Sequence, residues 1–205
     1  MTGAPTPELE LMDWKRRIGA LYAEVRAGGA GAEVAARFRA ARDALFAGHP
    51  QSPLPADARA GYAGSRWYPY RDDLRREAAL EPEAGGPEME LPVSTGAPAR
   101  FRRIGWVAVD LGAAARLPVF WLEGYGGGLF LPFRDALAGR GTYGGGRYLL
   151  DTVKGADLGS EGGRLVLDFN LAYNPSCSYD ARWACPLAPP ANRLPIPIRA
   201  GERSR

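Results

Sequence analysis

Between Glu88 and Asn170 the chain is a series of short apolar runs separated by glycine, and that punctuation limits the fold more than any other feature. The runs lie at about 88–94, 100–109, 118–123, 128–134, 146–153 and 164–170, with another at 74–80 ahead of the turn EPEAGGPE. Their length and spacing are those of strands joined by turns, since glycine enters turn conformations that other residues avoid. The 27 Gly and 18 Pro cluster between apolar runs, so they signal many turns rather than low complexity. The expected architecture is an antiparallel β-barrel or sandwich. Pro132, inside LFLPF, makes its strand an edge or marks a bulge, because proline has no N–H to give the ladder.

The first fifty residues have a different texture. Leu11, Trp14, Ile18, Leu21, Tyr22 and Val25 recur at helical spacing and predict a helix over 7–26. Thr6 is placed to cap it, Pro7 suits its first turn, Glu8 and Glu10 suit the positive end of its dipole, and Gly28-Gly29 stops it. Val34, Phe38, Ala41 and Leu45 predict a second helix over 32–47, ended by Gly48. The fold class expected is therefore mainly β (α+β). A helical pair at 1–48 would pack on an antiparallel β-rich domain at 49–205, which closes with a Cys- and Pro-rich segment. The helices are too short to own a core, so that division is soft.

At 205 residues, 46% hydrophobic and 24% charged, the composition is globular. The formal charge is +3, and acids alternate with bases along the whole chain. The nearest thing to a cationic stripe is Arg199, Arg203 and Arg205, so no nucleic-acid partner is expected. MTGAPTPELE lacks the pattern of a secretory signal, and no run reaches the ~20 apolar residues of a membrane helix. A soluble, cytoplasmic protein with no membrane partner is expected.

The candidate chemistry lies near the C-terminus, in LVLDFNLAYNPSCSYDARWACPLAPPANRLPIPIRAGE. Side chains alternate along Arg164–Asn170, so Leu165, Leu167 and Phe169 share a core face while Val166, Asp168 and Asn170 share the other. Asp168, at a strand end, is the best guess for a base or substrate anchor. The plain alternative is that it accepts N–H groups from the following loop. Tyr173-Asn174-Pro175-Ser176 is a turn signal. Tyr173, Tyr179 and Trp183 could wall a pocket or cap the end of a barrel. Cys177 and Cys185 are separated by seven intervening residues, wider than zinc pairs use, so no metal is expected. A metal held by Cys177 and Cys185 and completed by Asp168 or His49 is the weaker alternative to a disulfide or two packed thiols.

The glycine-rich turn Gly141–Tyr148 is the second candidate. Its N–H groups could form an anion nest, with Arg147 gripping a carboxylate or phosphate. It lacks the Gly-Lys-Ser/Thr ending of a P-loop and the βαβ setting of a dinucleotide fingerprint. The plain alternative is a hairpin turn with Arg147 paired to Asp135 or Asp168. His49 reads as a loop hydrogen-bonder.

TYGGGRYL at 142–149 together with LDFNLAYNPSCSYDARWACPLAPPANRLPIPIRAGE at 167–202 resembles the bacterial family known as domain of unknown function (DUF) 1684. WYPY at 67–70 and LFLPFRD at 129–135 extend the resemblance over roughly residues 40–202. The family implies no catalytic assignment. It does imply that Tyr143, Arg147, Asp168, Asn170, Tyr173, Asn174, Cys177, Cys185, Asn192 and Arg193 belong to a shared pattern. Two functions follow. One is a small-molecule-binding protein or enzyme, with a polar pocket built from turn 141–148 and segment 168–193. Arg147, Asp168, Asn170, Tyr143, Tyr173, Asn174 and Arg193 would hold a small anionic ligand there. The other is a non-catalytic structural or interaction module in which the C-terminal motif is a folding clasp. Neither a cofactor nor an oligomeric state is legible.

Overall fold

The computed structural model describes residues 5–205. Two long helices, α1 (Pro7–Gly28) and α2 (Ala32–Gly48), precede a single-turn helix α3 (Ala56–Arg59). Eight strands follow: β1 (Arg75–Pro82), β2 (Glu88–Leu91), β3 (Ala99–Asp110), β4 (Ala114–Leu122), β5 (Gly128–Phe133), β6 (Arg147–Asp151), β7 (Ser160–Glu161) and β8 (Arg164–Asp168). They form one antiparallel sheet, ordered β6-β5-β4-β3-β1-β8-β7, with β2 added alongside β3. The sheet curls into a half-barrel rather than closing or splitting into two layers. The mainly β architecture with an N-terminal helical pair is thus the one its periodicities predict.

The curl has identifiable causes. β3 pairs with β2 through Ala99–Arg102 and with β1 through Gly105–Val107, and its register with β4 shifts between Arg103 and Gly105. Gly105 is the pivot: a Cβ there would lie 2.2 Å from the Glu81 carbonyl oxygen. A second shift falls between Leu131 and Pro132, so the proline marks a bulge inside the β5–β6 pair. Bulges bend a strand and increase its twist.

The helices supply the core's missing side. Leu21, Tyr22 and Val25 of α1 and Ala35 and Phe38 of α2 belong to the same apolar cluster as Val107, Leu117, Leu131 and Leu167 of the sheet. Each of the larger side chains among these, the Leu, Val and Phe residues, contributes roughly 1.5–3 kcal/mol by leaving water. Leu11, at the start of the apolar stripe, stays 42% exposed, so α1 buries only its later turns. Pro7 occupies the first turn as expected, while the Thr6 side chain makes no capping hydrogen bond to the backbone. Because α1 descends beside β8, both faces of that strand are covered: Val166 and Asp168 are buried along with Leu167 and Phe169.

After β8 the chain is a strap of turns, not strands. Its prolines deny it a ladder, and it docks by isolated pairs instead. Arg134 N–H donates to the Asn192 carbonyl (3.0 Å), Leu194 N–H to that of Arg134 (2.8 Å), and Glu202 N–H to that of Ala172 (2.8 Å).

Candidate functional site

Arg147 opens β6 with its side chain 1% exposed. Its Nη1 donates to the carbonyls of Ala200 and Glu202 (3.2 Å to the latter), and Nη2 donates to that of Ile198 (3.1 Å). Asp135 lies 3.6 Å away, and the Phe133 ring packs under the guanidinium. Burial pushes the guanidinium down to about 10, against the pull of Asp135. Asp135 in turn accepts from Thr142 Oγ1 (2.6 Å) and Ile198 N–H (2.9 Å). The cation therefore fastens the strap, with Asp135, one of the two acids considered as its partner, beside it. Within the turn, Gly146 takes φ +96° and gives its N–H to the Tyr143 carbonyl (3.0 Å), which removes that donor from any anion nest.

Asp168 stands elsewhere, on a groove of about 120 Å³ lined by Val25 and Arg26 of α1, Arg75, Ser160, Glu161 and Val166. Its Oδ1 accepts both the Asn170 backbone N–H and Asn170 Nδ2, each at 2.9 Å. Burial raises its pKa, and those two hydrogen bonds, Arg75 and Arg39 only partly oppose this. Asn170 spends its remaining capacity on the Arg71 backbone, donating to O and accepting from N–H at 2.8 Å each. Arg193 is exposed, on an open groove beside Arg134 and Asp135. Its neighbour Asn192 is fully buried and donates to the carbonyls of Pro118 (3.0 Å) and Pro132 (2.7 Å). Arg147, Asp168 and Arg193 thus face three different surroundings.

Tyr173 and Asn174 meet at a cavity of about 60 Å³ in the seam between helices and sheet. Its walls are Trp14, Ile18 and Tyr22 from α1, Phe46 from α2, and Tyr173 and Tyr179 from the C-terminal segment, with Lys154 and Arg42 also on its lining. Trp183 is not part of it; its indole N–H is held by the Pro53 carbonyl (3.1 Å). Asn174 Nδ2 donates to the Arg203 carbonyl (2.8 Å). That bond fixes the amide orientation, because a carbonyl can only accept. Asn174 Oδ1 is left buried with no partner.

The cavity is braced by groups that sequence reasoning missed. Glu202, 1% exposed, accepts from Tyr179 Oη, Arg42 Nη2 (3.1 Å) and the Asn174 N–H (2.9 Å). Burial raises its pKa against the pull of Arg42. Arg42 stacks 4.1 Å over the Phe46 ring. Neither carried a local signal: Arg42 sits in a helix rich in arginine, and Glu202 in a charged tail. Asp151, at the end of β6, is another buried charge that sequence reasoning missed, and it lies on a different cavity. It borders a cavity of about 190 Å³ beside Phe101, Phe130 and Lys154 (3.7 Å to the last), and burial raises its pKa.

Cys177 and Cys185 are both free thiols and lie side by side. Among the described residues no group of three or more His, Cys, Asp or Glu side chains converges as a metal site, and no helix is long and apolar enough to cross a membrane. His49 donates from Nε2 to Asp13 (3.2 Å) and accepts the Gln51 N–H at Nδ1 (3.0 Å).

Residues 60–203 match the family described as "Protein of unknown function (DUF1684)". A solution NMR structure of an uncharacterized protein from Haloarcula marismortui is similar, with a TM-score of 0.59 and 31% identity. The match covers 82% of this chain and 91% of that one. No curated protein matches the chain.

Proposed function

The chain belongs to the DUF1684 family, and from that premise we propose that it binds a small molecule in the seam cavity. The observation that carries this reading is Asn174 Oδ1, a buried acceptor without a donor on a residue that lines an aromatic-walled void. Leaving such an acceptor unmade costs about 1–3 kcal/mol, which a ligand N–H or O–H would recover. Apolar walls with a few fixed polar groups are the usual composition of a ligand site. The ligand would place a compact ring or alkyl body among Tyr22, Phe46 and Tyr173, a donor on Asn174, and any negative group toward Lys154. The pocket therefore draws on the 168–193 segment and the helices, and not on the glycine-rich turn.

Native mass spectrometry of freshly purified protein tests it. A bound mass lost on denaturation, and absent from an Ile18→Phe variant that fills the cavity, supports the reading. A bare chain mass, with no melting shift in a screen of cell-extract metabolites, overturns it.

A second reading has its own support. Arg147, Asn170 and Asn192 each donate to backbone carbonyls of distant segments. We infer that this part of the motif is a folding clasp that also sets the cavity wall, since Glu202 reaches Asn174 only when the strap is docked.

A further inference from the structure

The thiol pair lies outside the seam cavity and has no part in the reading above. Cys177 sits in the turn Ser176–Ser178 and is half-buried, whereas Cys185 is 1% exposed. The Cys177 N–H points at Cys185 Sγ (3.3 Å), and Tyr143 Oη lies 3.6 Å from Cys177 Sγ. Ser94 holds the far side: it accepts the Cys185 N–H (3.0 Å) and donates its own hydroxyl to the Trp183 carbonyl (2.8 Å). Three separate stretches of chain therefore converge on two sulfurs, one accessible and one enclosed. The chain has no other cysteine.

We propose that Cys177 and Cys185 form a hydroperoxide-reactive dithiol, in which Cys177 attacks the peroxide and Cys185 resolves the product as a disulfide. In the first step the Cys177 thiolate attacks one peroxide oxygen; the S–O bond forms and the O–O bond breaks. The leaving alkoxide or hydroxide takes a proton from solvent. In the second step Cys185 loses its proton and attacks the Cys177 sulfenic sulfur. The S–S bond forms, the S–O bond breaks, and hydroxide leaves as water once protonated. Two thiols and one hydroperoxide give one disulfide, one alcohol or water, and one water, with two electrons passed from sulfur to oxygen.

The electrostatics divide the roles in the same way. A hydrogen bond from Cys185, with the Tyr143 hydroxyl beside the sulfur, brings the Cys177 thiol down to about 6 against the opposing effect of burial. The same sulfur contact and burial push Cys185 far up, so it keeps its proton. Accessible thiolates beside a resolving thiol are the sites that oxidise selectively. At pH 6 about half of Cys177 is thiolate, against roughly 0.3% of an ordinary thiol. The weaker nucleophilicity of a less basic sulfur cancels about tenfold of that advantage, leaving a net acceleration of about tenfold at pH 6.

The test uses the full chain, reduced with dithiothreitol and desalted. Iodoacetamide alkylation of Cys177, followed by mass spectrometry from pH 5 to 9, should show a midpoint near 6 and need no variant; a midpoint near an ordinary thiol's ~8.5 overturns the proposal. Hydrogen peroxide at pH 6 should consume both thiols together and form one intramolecular disulfide that dithiothreitol reverses. Cys185→Ser should stop at a sulfenic acid trapped by dimedone, and Cys177→Ser should lose the fast reaction. Equal peroxide reactivity of the two variants, or reaction no faster than free cysteine at pH 6, overturns it.

Discussion

Replacing Arg147 with methionine should unfasten the C-terminal strap. The substitution keeps length and apolar volume, but it removes three hydrogen bonds to Ile198, Ala200 and Glu202 and the buried partner of Asp135. Removing one member of a buried ion pair typically costs about 3–5 kcal/mol, because the other charge stays behind. Asp135 keeps its donors from Thr142 and Ile198, and the strap carbonyls can rehydrate by lifting, so the cost stays within that range. A domain of this size loses about 2–4 °C of Tm per kcal/mol, which predicts a fall of about 10 °C. Urea unfolding at pH 7 measures the free energy, and differential scanning calorimetry measures the Tm. Limited trypsinolysis gives a local readout: the exposed Arg199 and Arg203 should become cleavable in the variant under native conditions. Adding Asp135→Asn should restore part of the lost stability, since it removes the orphaned charge. A Tm within about 2 °C of wild type, with the strap still protected, would refute the clasp argument; 2 °C corresponds to under ~1 kcal/mol. An anion-binding Arg147 would instead leave stability intact.

The glycine-rich turn divides sharply by position. At Gly146 a Cβ would meet the Phe133 carbonyl oxygen at 2.8 Å with φ at +96°, whereas nothing lies closer than 3.8 Å at Gly144. Gly146→Ala should cost about 2–4 kcal/mol in urea titration and Gly144→Ala no more than ~0.5; equal effects would remove the steric account. Asp168 supplies a pH signature. Its folded pKa is raised above the unfolded 3.8, so its stabilising contribution is complete below 3.8 and lost as pH rises through the folded value. Asp168→Asn should consequently melt higher than wild type at pH 7, with the gap closing as the pH falls below 3.8. A variant that is less stable at pH 7 would show that burial does not dominate at that carboxyl.

Much of the fold is written in local pattern. The helix expected over 7–26 is found at Pro7–Gly28, and the strand expected over 100–109 at Ala99–Asp110. Both depend on short-range periodicity and on glycine and proline, which act within a turn of their own position. The two-residue strand β7 escaped notice because Ser160–Glu161 has no alternation to detect. The second covered face of β8 also escaped, because its cover is α1, more than a hundred residues earlier in the chain.

Sequence alone determined most of the helical and strand segments, that the strand holding Pro132 must be an edge or carry a bulge, and which C-terminal residues are too distinctive to be filler. Only the tertiary structure decided what each of those residues touches. Arg147 would read the same on a pocket wall or inside a strap, and Asp168 the same beside it or across the molecule. A buried charge takes its meaning from its partners, and those partners are chosen by sheet curl and chain return over separations that no local pattern encodes.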